Sequence, residues 1–173
     1  MRKLLNTLFP ICRSITGKGF LDSLKIIKKD IPEIKIKSFK SGKKVFDWKI
    51  PQEWNVKDAF IKNDKGKKII DFKKNNLHLV SYSMPVKNKI FSIKELKSRL
   101  HSIPSQPNVI PYITSYYKKY WGFCLDYNNK KKLFKEKNKK FIVNIDTSFK
   151  KNGKMNYGDC YIKGKSNKEI LIS

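Results

Sequence analysis

Residues 45–72, VFDWKIPQEWNVKDAFIKNDKGKKIIDF, decide how this chain is read. The apolar spacing upstream is helical; here it falls to two. Phe46, Trp48 and Ile50 alternate with Asp47 and Lys49, which predicts a strand over VFDWKI. VKDAFIK and KKIIDF then read as two strands joined by Asn63-Asp64-Lys65-Gly66, a hairpin signal.

Working back, TGKGFLDSLKIIKKDIP places Phe20, Leu24, Ile27 and Ile31 on one helical face. Asp22 near its start and Lys28-Lys29 near its end suit the helix dipole, and Pro32 stops it. A shorter helix is predicted over residues 2–9, before Pro10. Between the two lies RSITG. Arg13, Ser14 and Thr16 either hold an anion near the second helix's start, or Thr16 is an ordinary N-cap.

Working forward, NLHLVSYSMPV reads as another strand, and FSIKELKSRLHSIP as a helix. Ser92 and Glu95 form its capping box, and Phe91 and Leu96 stand where a hydrophobic staple would form. His101 then falls in its last turn. The prolines at 104, 107 and 111 mark a loop before YITSYYKKYWGFCLDY, whose aromatics either pack or stack on a sugar or base. NNKKKLFKEKNKK reads as a loop or short helix, FIVNID and MNYGDCYI as strands, and EILIS at 169–173 as a buried strand. The sum is an α+β chain: N-terminal helices, then a mostly antiparallel β-rich region holding one internal helix.

Net charge is +26, yet only Arg2, Arg13 and Arg99 among the 40 basic residues are arginine. The lysines are dispersed and many alternate with apolar residues, as on solvated strand faces. This disfavours nucleic acid, whose readout prefers arginine's fork. A stand-alone lysine-rich β-domain gripping an anionic polymer, nucleic acid or acidic glycan, is the second functional reading. Cys12, Cys124 and Cys160 are too far apart and too odd in number for a disulfide framework, which suggests a reducing, cytoplasmic setting. No window is apolar enough for a membrane span. His78 and His101 are isolated; His78 reads as a structural, hydrogen-bonded histidine. Gly164-Lys165-Ser166 lacks the glycine a phosphate loop needs at 159, where Asp159 stands.

The blocks LFPICRSITGKG, VFDWKIPQEWNVKDAFI, DFKKNNLHLVSYSMPV, LHSIPSQPNVIPYITSYYKKYWGFCL and NYGDCYIKGKSNKEILIS resemble, in this order, the N-terminal part of a bacterial aminopeptidase-like family. Some of its members are labelled polysaccharide-biosynthesis proteins. The resemblance implies a two-metal zinc aminopeptidase-like α/β core with a β-rich domain inserted near its start. It divides this chain into helices and a first strand over 1–44, the inserted domain over 45–165, and the first core strand over 166–173. It also implies that the zinc ligands follow EILIS, so this chain should hold no cofactor or catalytic residue and be inactive alone. The implied partners are the missing C-terminal half and a peptide or glycan-linked substrate, with no membrane. Arg13, Ser14, Thr16, Asp47, Trp48, Tyr116 and Trp121 match family positions and are the candidate cleft-lining residues.

Overall fold

The computed structural model describes residues 2–136, 139–166 and 168–172. Helices α1 (Arg2–Leu8) and α2 (Lys18–Asp30) open the chain, followed by β1 (Lys35–Lys40) and the two-residue strands β2 (Lys44–Val45) and β3 (Trp48–Lys49). Then come β4 (Glu53–Lys62), β5 (Lys68–Asp71), a 3-10 turn (Asn76–His78) and β6 (Val86–Ser92). Helix α3 (Ile93–Leu96), a second 3-10 turn (Lys97–Arg99), β7 (Leu100–His101), β8 (Phe123–Cys124), α4 (Tyr127–Phe134), β9 (Lys140–Lys150) and β10 (Lys154–Asp159) complete it. The α+β class expected from the sequence is what the chain adopts.

The core is built on a four-stranded antiparallel sheet in the order β5–β4–β9–β6. One face is apolar. Phe141, Val143, Ile145 and Thr147 of β9 alternate inward at period two and are buried. On β4 the inward set changes phase: Trp54 is followed by Ala59 and Ile61. The register shifts between Val56 and Asp58, and this bulge lets an even-numbered and an odd-numbered set face the same core. The irregular stretch between β5 and β9 folds over that face. Leu79, Tyr82, Leu96, Leu100, Phe123, Leu125 and Leu133 seal it. The β4–β5 hairpin is closed by Asn63, whose Oδ1 accepts the Lys67 amide, and by Gly66 at φ 76°.

A second, two-stranded ladder pairs β1 with β10, Lys35 opposite Asp159 through Lys40 opposite Lys154. Helix α2 lies against β10, where Leu24 and Ile34 crowd Gly158. The helix is fastened to the main sheet as well. Its N-cap is Gly17, not Thr16, and has no capping side chain of its own. Instead Asn55 of β4 reaches across, its Oδ1 accepting the Lys18 amide at 2.8 Å.

Four expectations need correction. VFDWKI is not one strand: β2 and β3 fold back on each other, with Phe46 (φ 54°) and Asp47 in the turn, so Phe46 is 93% exposed. NLHLVSYSMPV is not a strand either. Asn75 caps a 3-10 turn, and beyond it Leu79 and Ser81 make single bridges to Phe123 and Thr114. The helix after Phe91 keeps its Ser92–Glu95 capping box but lasts one turn, because β6 runs up to Ser92 and β7 begins at Leu100. His101 therefore sits on β7 and caps nothing; its Nε2 lies 2.8 Å from the Tyr120 hydroxyl. Finally, residues 169–172 form no strand, with Ile170, Leu171 and Ile172 about nine-tenths exposed; Ser173 lies outside the described residues. An apolar run is a strand only when another strand takes its amides and carbonyls, and none does so among the described residues. The lysine-rich stretch after Asp126 folds as α4, as one of its two readings had it; Lys137 and Asn138 lie outside the described residues.

Candidate functional site: an aromatic groove rimmed by lysines

Two segments are sewn together beside β9. The Ser81 amide donates to the Ile113 carbonyl at 2.8 Å, and the Ser115 amide donates back to the Ser81 carbonyl at 3.0 Å. The Met84 amide donates to the Tyr120 carbonyl at 2.8 Å, and a turn closes from the Lys118 amide to the Ser115 carbonyl. This suture holds Tyr116 and Tyr117 over the entry to β4. Two hollows of about 320 and 450 Å³ result, sharing Pro51, Gln52, Tyr116 and Tyr117. The first is floored by Tyr82, Met84 and Phe149; the second runs past Ile50. Lys118 and Lys119 stand at one end, Lys49 and Lys151 at the other, and no Asp or Glu lines either hollow.

Tyr82 organises the floor. Its ring stacks on Trp54 at 5.6 Å between centroids and meets the rings of Tyr116 (5.8 Å) and Phe149 (6.1 Å) edge-on. Its hydroxyl donates to the Gln52 carbonyl (3.1 Å) and shares a 2.6 Å hydrogen bond with Thr16 Oγ1. Its backbone sits at φ 65°, a conformation that side chains of this bulk rarely take. Such strain persists only where the surroundings over-determine it, and here the aromatic stack and both hydroxyl contacts do so.

Burial pushes the Tyr82 hydroxyl up to about 12, with the Thr16 hydrogen bond pulling the other way. The folded protein thus holds this proton beyond the ordinary tyrosine value. That contribution to stability is whole below about pH 10 and disappears as pH rises through about 12. An absorbance titration of the eight tyrosines should therefore show a late ionisation coupled to unfolding. Tyr82→Phe should remove that step, and its persistence in the variant would contradict the assignment.

The candidate residues separate clearly. Thr16 and Tyr116 meet through Tyr82, and Ser14 joins from behind, its Oγ accepting from Ser81 Oγ at 2.7 Å. Ser14 and Thr16 are buried and engaged; Thr16 Oγ1 also accepts the Trp54 amide at 3.0 Å. Arg13 points elsewhere and donates to the Leu8 carbonyl at 3.0 Å, closing the end of α1. Asp47 lies exposed in the β2–β3 turn beside Trp48. Trp121 packs on Phe91 and under the Arg99 guanidinium, outside the groove. His78 is hydrogen-bonded as expected, with Nδ1 2.8 Å from the Cys124 carbonyl. The sequence reading takes in Tyr117 only as one of the aromatics of YITSYYKKYWGFCLDY that either pack or stack on a sugar or base, and does not single out Tyr82, Gln52, Phe149 or the rim lysines. Tyr117 stands next to Tyr116 in the chain, but nothing local shows that a turn at Ser115–Lys118 presents both rings together.

The match to known families falls on this part of the chain. Residues 53–148 match the family described as Domain of unknown function (DUF2172). The chain belongs to the DUF2172 family. It is also 50% identical, over 98% of its length, to a Clostridium acetobutylicum protein named "putative polysaccharide biosynthesis protein with aminopeptidase-like domain". A crystal structure of a "putative peptidase" from the same organism covers 94% of the chain at 51% identity, with a TM-score of 0.84. The resemblance to the aminopeptidase-like family is thus sound. This DUF2172 chain spans 38% of the length of the first relative and 37% of the second. Among the described residues no helix is long and apolar enough to cross a membrane.

Proposed function

We propose that this DUF2172 chain is the substrate-recognising part of an aminopeptidase-like protein. In this reading the groove of Tyr116 and Tyr117 engages what is presented, and the hydrolytic centre is built from residues outside this chain. The observation that carries the reading is the 50% identity over 98% of the chain to a protein named for its aminopeptidase-like domain, of which it spans 38%.

Zinc, which the family resemblance implies, does not fit the residues present. Among the described residues no group of three or more His, Cys, Asp or Glu side chains could hold a metal ion. His78 and His101 are each committed, to the Cys124 carbonyl and the Tyr120 hydroxyl. We therefore derive no catalytic step through a metal from this chain, and place the zinc of the reading in the remaining aminopeptidase-like part.

The division at 1–44, 45–165 and 166–173 belongs to the same proposal. Leu5 and Phe9 are 61% exposed, and Ile31 and Ile170–Ile172 are exposed too; these offer the apolar surface on which an aminopeptidase-like part would rest. The three free cysteines suit a reducing compartment such as the cytoplasm. The partners are that remaining part and a peptide or glycan-linked substrate.

The test compares this chain with the longer C. acetobutylicum relative. The chain alone should retain no stoichiometric zinc after dialysis and release nothing from an aminoacyl-p-nitroanilide, whereas the relative does both. In the relative, alanine at the position matching Tyr117 should raise KM about tenfold with kcat nearly unchanged. Zinc at one equivalent or turnover by the chain alone would end the proposal, as would an unmoved KM.

A further inference from the structure

The groove is open, not a closed pocket, and this restricts what fits it. Tyr117 is 71% exposed, and its ring lies 4.1 Å from the Tyr116 ring, centroid to centroid, tilted by 47°. An aliphatic side chain is best held by a pocket that surrounds it; an exposed ring face is best covered by a flat partner. Nor does the groove offer a peptide the usual main-chain pairing. Its walls are Pro51–Gln52 and the turn at Ser115–Lys118, not a free strand edge. A pyranose ring suits such a surface. One of its faces is C–H and meets an aromatic ring by dispersion, while hydroxyls around its edge seek polar partners. Gln52 and Ser115 supply these along the wall.

The rim adds charge. Lys118 and Lys119 at one end and Lys49 and Lys151 at the other leave four ammonium groups with no carboxylate among the lining residues. The nearest acidic neighbour in the chain, Glu53, is already engaged: it accepts from Asn55 Nδ2 and the Lys154 amide and pairs with Lys150 at 3.3 Å. The field over the groove therefore favours an anion. The combined hollows are of the size that holds a ring or two. Behind them Tyr82, strained at φ 65° and locked by Trp54, Thr16 and Gln52, keeps the floor fixed before anything binds.

We propose that this groove binds an acidic saccharide, with a sugar ring stacked on Tyr117 and its carboxylate or phosphate held by the rim lysines. The assignment rests on the reading of the groove as a recognition site and gives that site its ligand class.

The experiment titrates the whole chain, by amide chemical shifts, with trigalacturonate, neutral maltotriose, trialanine and AMP. Trigalacturonate should bind with shifts confined to the groove and weaken as salt rises. Maltotriose should bind at least about tenfold more weakly. Tyr117→Ala, a change at an exposed ring that leaves the melting temperature in place, should weaken trigalacturonate about tenfold, and Lys118→Gln with Lys119→Gln by a similar factor. Equal binding of maltotriose would remove the anionic requirement and overturn the proposal. Preference for trialanine or AMP in the groove would overturn the saccharide and leave the recognition reading standing. Binding that ignores Tyr117→Ala, as dispersed lysines gripping any polyanion would give, overturns the groove. The absence of binding by all four probes defeats both readings at once.

Discussion

Gly17→Ala should cost this protein about 4 kcal/mol, a loss at the upper end of single substitutions. Two effects combine. Gly17 sits at φ 92° and ψ 175°, a region essentially closed to residues with a Cβ, worth about 1–3 kcal/mol of strain. A Cβ there would also stand 2.2 Å from the Trp54 carbonyl oxygen, which is backbone and has no freedom to swing aside. Helix α2 would have to move off β4 and lose the Asn55 cap on Lys18, itself worth about 1 kcal/mol. Gly66→Ala separates the two effects. It has a similar φ of 76° but no atom within 4 Å of the new methyl, so only strain remains, about 1 kcal/mol. Urea unfolding of the two variants, followed by tryptophan fluorescence, is the measurement. Equal losses would show that contact with Trp54 is not what Gly17 relieves.

The second large effect is at Trp54 itself. Trp54→Ala empties a site that is 2% exposed, between the sheet and the Tyr82 ring, and should cost about 3–5 kcal/mol. The loss is one of packing, not of an orphaned acceptor. Trp54 Nε1 donates to the Ser83 carbonyl at 3.1 Å, but Thr147 Oγ1 also donates to it at 2.9 Å and would remain. Trp54→Phe keeps most of the ring volume and should recover more than half of the loss. The stack also predicts a consequence at a distance: with Trp54 gone, Tyr82 loses the partner that holds its strained backbone, and the groove floor loosens. Denaturation followed by circular dichroism gives the stability. A Trp54→Ala loss under about 1 kcal/mol would mean that the core does not close around this side chain as described.

The sequence is legible where a local pattern and a long-range partner agree. Alternation in FIVNID gave β9 because its inward residues meet a sheet on one side and a packed layer on the other. The Asn63–Gly66 turn and the Ser92–Glu95 box are satisfied within a few residues, so they survive in any context. Alternation misled in VFDWKI and NLHLVSYSMPV. There Phe46 and Tyr82 take positive φ, and the chain turns where a pleat would continue. EILIS carries a strand-like composition without a ladder among the described residues.

For the candidate site, the short-range chemistry was visible and the assembly was not. Composition and spacing by themselves determined an α+β chain with helices first, a lysine-covered surface and free thiols; the family was marked by the resemblance of its sequence blocks. Periodicity needs only neighbours along the chain, and charge needs no neighbours at all. That Thr16, Tyr82 and Tyr116 form one cluster, that Asn55 caps a helix 37 residues earlier, and that Arg13 turns back to α1 were decided in three dimensions. The reason is physical: a hydroxyl, an amide or an aromatic edge has several partners of nearly equal worth along the unfolded chain, and only packing of the β4–β9 sheet against its covering layer leaves one of them within reach.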